Sequence, residues 1–352
     1  MALRVASRYL PAMHAIVLSK LGGPEELEYR EVPDPEPARG EVLVRVKAEG
    51  VCGRDLIDRR GGFRGLPLPV ILGHEFAGEV VRAAPESGFA PGDRVANLLR
   101  LGCGVCRSCS RGEAVICEKG WQSYGQTRNG GYAELVTATP ATLVKVPPGV
   151  SDVEAASAAC TFGTALRALR TVGKVTLNDQ VLITGASGGV GIAAIQIAKA
   201  LGARVIAATS SEAKHQALVD AGADEVVVDP QGSLHEKVRA LAPAGVDAVL
   251  ELTGSPTFTS SMRSLRNGGR LILVGNILAD SIKVNPGAVI LFGYQVLGSA
   301  GCTSADLEDV FALIVQKKLR VVLHRVLPLQ SAALAHQILA YRGAIGRVVL
   351  TP

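Results

Sequence analysis

Aromatic side chains are scarce in this chain, at 4% of 352 residues. Their scarcity removes the stacking platforms on which proteins hold single-stranded nucleic acid. No block of basic residues stands out either. The net charge of +5 comes from Lys and Arg scattered along the chain, so charge gives no reason to expect a nucleic-acid partner. No apolar run is long enough to span a bilayer, and the most hydrophobic stretch, roughly 271–298, is broken by Asn276, Asp280, Lys283 and Asn285-Pro286. The opening MALRVASRYLPA is interrupted by Arg4, Arg8 and Pro11 and does not read as a secretory signal. A cytoplasmic protein without membrane contact is expected, with residues 1–12 a loose extension or a misassigned start ahead of MHAIVL. No internal repeat or low-complexity segment is found.

Cysteine is sparse as well, seven in all, yet four of them fall within LGCGVCRSCSRGEAVIC, residues 101–117. A cytoplasmic setting keeps thiols reduced, and two overlapping C-x-x-C bridges would be strained. Cys103, Cys106, Cys109 and Cys117, spaced C-x2-C-x2-C-x7-C, fit four thiolates around one Zn²⁺, a closed shell that is structural. A redox pair would leave two of them unexplained. Of the other three, His74 stands twenty-two residues after Cys52, Glu75 is beside it, and Cys160 lies in AASAACTFGT. Cys, His and Cys form a three-ligand set with one position open, as a catalytic zinc needs. Taken singly, each is also an ordinary core residue, and spacing alone does not bring them together. Cys302 is expected to be a packed thiol.

The first third of the chain reads as β. EVLVRVKAEGV alternates Val42, Val44 and Val46 with Leu43, Arg45 and Lys47, the period of a sheet with two unlike faces. From Asp152 an Ala-rich helical passage begins. Then QVLIT, RVIAA, EVVV, DAVLEL and RLILVG alternate with helical segments, the pattern of a doubly wound parallel sheet, to which YQVLGS adds a sixth strand. The last fifty residues read as a helix–strand return.

QVLIT runs straight into GASGGVG, residues 185–191, and then a helix. Gly185 permits the tight turn, Gly188 and Gly189 let a pyrophosphate approach the backbone around Ser187 and Val190, and Gly191 lets helix and strand pack closely. Within repeated βα units this is a dinucleotide site. NAD sites end the second strand with an acid that binds the ribose 2′-hydroxyl. Here that strand ends AATSSEAK, with Thr209, Ser210, Ser211 and Lys214, which favours the 2′-phosphate of NADP(H) over NAD(H). The same serines are also suited to capping the next helix.

VCGRDL, VILGHEFAGEV, GDRVANLLRLGCGVCRSCSRGEAVICEKG, GGYAELV and VLITGASGGVG together resemble the zinc-containing medium-chain dehydrogenase/reductase superfamily, which includes the alcohol dehydrogenases. The resemblance runs from Met13 to Pro352. It implies a GroES-like β-rich catalytic domain over 1–162 and 300–352, a Rossmann domain over 163–299, and an active site in the cleft between them. It further implies two zinc ions per subunit, the catalytic one on Cys52, His74 and Cys160. Glu75 would be close enough to exchange with the water ligand, and Asp55 would orient His74. Thr164, Leu252, Thr253, Val274 and Gly275 would line the nicotinamide side. Homodimers or homotetramers are usual, often joined through KVNPGAVILFGYQVLG.

One position departs from the alcohol dehydrogenases. Where they carry a Ser or Thr that relays the alcohol's proton, and in some a His three residues on, this chain has Arg54 and Ile57. Arginine stays protonated and cannot relay as a hydroxyl does. A guanidinium about 6 Å from a dication costs roughly 5 kcal/mol at an effective dielectric of about 20. Arg54 must therefore turn away or meet an anionic group. CGRDLIDRRGGF together with GASGGVGIAAIQIAKALGA also resembles a branch containing acryloyl-CoA reductases, where Arg holds this position. The leading expectation is an NADP(H)-linked alcohol/carbonyl oxidoreductase in which zinc polarises the oxygen and the proton comes from water or through Glu75. The alternatives are an enoyl-thioester (acryloyl-CoA-type) or quinone reductase and a non-catalytic dinucleotide-binding protein.

Overall fold

A computed structural model describes residues 12–120, 122–278 and 280–352. The expectation for residues 1–12 thus falls almost wholly outside the described residues; Ala12 itself opens the strand Ala12–Leu18.

Among the described residues the strands form four sheets. The largest is built around Val42–Val51, which pairs antiparallel with Phe76–Arg82, with Leu135–Ala138 and with the C-terminal strand Arg347–Thr351. Val42, Val44 and Val46 face the core while Arg45 and Lys47 are exposed, as the alternation predicts. From Ala48 both faces are covered, the helix Asp152–Ser157 packing against the strand. The register pairs Val348 with Val51, which carries Arg347 to the end of the strand from which Cys52 emerges. Residues 323–351 therefore return to the sheet begun by residue 42, as the GroES-like arrangement requires.

The other large sheet is parallel, in the spatial order Glu225–Val228, Arg204–Thr209, Gln180–Ile183, Val246–Glu251, Leu265–Leu273, Gln295–Gly298. In chain order this is 3-2-1-4-5-6, the doubly wound Rossmann arrangement, whose direction switches beside the glycine turn. The helix Gly189–Ala200 buries Ile192, Ile195 and Ile197 against it, each such side chain contributing about 1.5–3 kcal/mol of apolar burial. The helix Ser255–Ser264 runs straight into its strand, since Leu265 already pairs with Val246 ahead of a register shift. The Ala-rich passage is helical from Asp152 to Val172 and contains two π-helical turns, Ala158–Gly163 and Arg167–Val172. No helix among the described residues is long and apolar enough to cross a membrane.

Candidate active site

Cys52 ends the extended run after Val51 and is the N-cap of the helix Gly53–Arg59, its sulfur accepting from the Arg54 N–H at 3.5 Å. His74 and Glu75 directly precede the strand Phe76–Arg82. Cys160 lies on the first π turn, a local widening that often marks a functional position. The chain thus brings together residues that spacing alone left apart. One ligand atom from each of Cys52, His74, Glu75 and Cys160 lies within 4.8 Å of all the others.

The donor set fits a metal ion. His74 Nδ1 is 2.9 Å from Asp55 Oδ1, so the Asp55 carboxylate accepts from the Nδ1–H and Nε2 is left as the ligating atom. Nε2 is 3.7 Å from Cys160 Sγ, near the roughly 3.6 Å edge of a tetrahedron built with Zn–S and Zn–N bonds of usual length. Glu75 Oε1 is buried without a hydrogen-bond partner and stands 3.5 Å from the same Nε2. Burial resists charging His74, and Arg54 adds to that resistance. The Asp55 carboxylate prevails and pushes the imidazole up to about 10. Asp55 itself, despite burial, is held down at about 2 by His74. Burial lifts Glu75 to about 7 against the pull of Arg347. Cys52 is lowered by the Cys160 thiol that bonds it, and Cys160 is raised by the same bond. A lowered Cys52 thiol and an unpartnered carboxylate oxygen of Glu75, buried beside the imidazole, make a donor set that suits a cation.

Cys103, Cys106, Cys109 and Cys117 form the second cluster, also within 4.8 Å. The Cys106 and Cys117 sulfurs are 3.9 Å apart, close to the roughly 3.8 Å edge of a zinc–tetrathiolate tetrahedron. Backbone N–H groups of Cys103, Cys106 and Cys109 point at sulfurs of the cluster, 3.3–3.5 Å away, as thiolates require. Cys302 stands apart from both clusters and is buried, its thiol donating to the Ala159 carbonyl at 3.3 Å.

Arg54 turns from the cluster. Its guanidinium donates to Ser123 Oγ and to the Tyr124 carbonyl at 3.4 Å, and Nε lies 3.6 Å from Asp58 Oδ2. Gln126 donates to both oxygens of the buried Asp58. The counter-charge demanded by position 54 is thus supplied from within the same helix, four residues on.

At the switch point Gly185 takes a left-handed backbone, φ +57°. A Cβ on Gly191 would meet the Ala186 backbone at about 2.5 Å, so the helix can approach the strand only with glycine there. Gly188 caps the helix Gly189–Ala200, and Val190 is half-buried in its first turn. Ser187 accepts from the Gly346 N–H at 3.1 Å, tying the turn to the C-terminal segment. Leu252 and Thr253 lie against Gly185. Val274 and Gly275 both donate to the Glu251 carbonyl, and Thr164 is buried one helical turn beyond Cys160. Thr209 ends its strand and accepts from the Ser211 N–H. Ser211 precedes the short turn Glu212–Lys214 without a side-chain cap, so capping does not account for it. Ser210 is exposed, and Lys214 donates to the Arg342 carbonyl at 2.5 Å.

Several buried groups had escaped sequence reasoning. Arg347 pairs with Glu75 beside the glycine turn. Glu49 accepts from the Glu75 N–H at 2.8 Å. Glu251, fully buried, collects hydroxyls from Thr184, Thr253, Thr257 and Ser261. A lone charge inside an apolar strand, as in GRVVLTP and AVLEL, is the signal that could have found two of them.

A Rossmann sheet with its glycine turn, joined to a β-rich domain that carries both cysteine clusters, defines a zinc-type nicotinamide oxidoreductase. Residues 38–148 match the alcohol dehydrogenase GroES-like domain and residues 189–316 the zinc-binding dehydrogenase family. An acryloyl-coenzyme A reductase of Metallosphaera sedula is 36% identical over 341 residues, 96% of this chain and 100% of the relative. An NAD-dependent alcohol dehydrogenase of Sulfurisphaera tokodaii is 33% identical over 355 residues, covering 97% and 100%. The crystal structure of AibC superposes with a TM-score of 0.91 at 43% identity, covering 98% of this chain and 97% of that one. The chain belongs to the zinc-containing medium-chain dehydrogenase/reductase superfamily.

Proposed function

We propose that this oxidoreductase reduces the C=C bond of an α,β-unsaturated thioester, with NADPH preferred to NADH. Arg54 carries the reading. It replaces the relay hydroxyl of the alcohol dehydrogenases, keeps its side chain 22% exposed, and stands near enough to His74 to oppose its charging. Arg100 feels the charges of Arg54 and Cys160, and Asp58 offsets only part of Arg54, whose side chain stays partly open to solvent. The positive charge that remains suits a substrate that develops negative charge on oxygen or carries phosphate. The full-length relatives named acryloyl-coenzyme A reductase support it.

When bound, zinc supplies a Lewis acid for the thioester oxygen and the nicotinamide supplies hydride for the β-carbon. Cys52, His74 and Cys160 would hold the ion, with Asp55 orienting His74. Glu75, its pKa raised to about 7, is a group able to hold the proton that the α-carbon takes from solvent. Arg347 keeps Glu75 in place. The four-cysteine lobe would hold the second ion.

Alcohol/carbonyl interconversion is the second reading, favoured by the complete Cys–His–Glu–Cys cluster. Turnover of acryloyl-CoA and of a ketone panel, each with NADPH and NADH, decides between them. Fast thioester reduction with no ketone turnover supports the proposal, and the reverse refutes it. Turnover of either also disposes of the non-catalytic reading. The NADPH preference rests on Thr209 in place of an acid and on Ser210, Ser211 and Lys214 beyond it. We place the domain limits at 162/163 and 299/300 and the protein in the cytoplasm. The exposed Ile290 and Leu291, 82% and 76% accessible beside the edge strand Gln295–Gly298, support association of two copies through this edge.

A further inference from the structure

Asp55 does more than face His74. Its Oδ2 also accepts from the Cys52 N–H at 2.9 Å and from the Tyr132 hydroxyl at 3.2 Å. Behind Tyr132 lies His336, on the helix Ala332–Ala340, with its Nε2 3.0 Å from the phenolic oxygen. Both rings are fully buried and meet edge to face, 5.8 Å between centroids.

Counting protons gives every bond one direction. The Asp55 carboxylate has none to offer, so Tyr132 donates its single proton to it. The phenolic oxygen must then accept, which places the His336 proton on Nε2 and leaves Nδ1 bare. That agrees with Nδ1 being buried without a partner. Burial and the nearby Arg59 and Arg60 keep the ring neutral against the pull of Asp55 and Cys52, lowering it to about 4. Burial and Asp55 raise the phenol well above its usual value, so it keeps its proton. The bonds run His336 to Tyr132 to Asp55, where the His74 N–H also ends.

This arrangement locks the plane of the carboxylate. One donor on Oδ1 and two on Oδ2 leave Asp55 no rotation that keeps all three, and the His74 ring follows it. Without Tyr132, the backbone N–H alone holds the second oxygen.

We infer that Tyr132 and His336 are positioning residues for the metal ligand His74, acting through Asp55. The inference rests on the reading of Cys52, His74 and Cys160 as a metal site. The test uses the zinc protein and its cobalt-exchanged form, comparing the native chain with Y132F, H336L and H336Q. The amide nitrogen of Gln reaches the place of the imidazole Nε2 and keeps a donor there. Y132F and H336L should lose one of two ions to a chelator about tenfold faster and shift the cobalt absorption bands, as losses behind a ligand do. The second ion should leave at its native rate, and H336Q should stay within about twofold of native on the same scale. Unchanged release and spectra in Y132F and H336L overturn the inference. So does equal acceleration for both ions, or H336Q behaving as H336L does. Should H336L fail to fold, Y132F, which removes only a hydroxyl, decides alone. A native chain carrying one ion overturns the metal reading itself, before any variant is compared.

Discussion

Replacing Arg54 by Thr tests its role from two sides. Arg54 Nε lies 3.6 Å from Asp58 Oδ2, and at an effective dielectric of about 20 that pair attracts by about 5 kcal/mol. Desolvation of the buried Asp58 and the partial exposure of Arg54 offset much of this, leaving a net loss of about 1–3 kcal/mol in R54T. The pH dependence has a definite sign. Burial already holds Asp58 up at about 6, with Arg54 pulling it down. An acid whose folded pKa exceeds its unfolded one costs stability once ionised, and the cost fades as pH falls through the folded value. R54T removes the downward pull, so its thermal deficit should be largest near about pH 8 and shrink toward about pH 5. The double variant R54T/D58N, which deletes the stranded charge, should recover most of the deficit at the higher pH. A deficit that ignores pH, or survives in the double variant, refutes the pairing. Kinetically, R54T should lose at least about tenfold in kcat/KM for the thioester while alcohol oxidation holds or rises. Unchanged thioester turnover would falsify the role given to Arg54.

Other outcomes follow from the same geometry. C117S opens the four-thiolate shell, and metal analysis should fall from two zinc ions per chain to one, with a lower Tm and the catalytic cluster still loaded. T209D sets a carboxylate where the 2′-phosphate would lie; the ratio of kcat/KM for NADPH over NADH should drop at least about tenfold, and a constant ratio would argue against the NADP(H) reading. R347M strands the buried Glu75, so unfolding measurements should show about 3–5 kcal/mol lost above neutral pH and less below it, because Glu75 protonates near 7. I290D with L291D should shift the protein to a smaller species in sedimentation, if the edge beside Gln295–Gly298 joins two copies.

The parallel sheet was legible because each of its strands is a short apolar run between helical segments, and because one glycine string marks the crossover. The four-cysteine lobe was legible for a similar reason: its ligands are neighbours in sequence. Cys52, His74 and Cys160 carried a weaker signal, since they come from a strand end, a loop and a π turn that only the tertiary fold brings together. Arg347, Glu49, Tyr132 and His336 were illegible. Their importance comes from what lies opposite them, and no local period reports the charge on a neighbouring element. Arg54 shows the same limit: its type raised the right electrostatic question, but the answer lay with Asp58, one helical turn away.

The strand Arg347–Thr351 has a temporal consequence. It is made long after Val42–Val51, yet its place is in the sheet that those residues begin. Until it arrives, the early-made lobe lacks a neighbour for that strand and Glu75 lacks its cation. The parallel sheet of the Rossmann half, whose strands all lie between residues 180 and 298, is free to form first. Assembly of the reaction centre therefore waits on a strand made after the nucleotide fold, and deleting Arg347–Thr351 should unmake that centre while sparing the fold.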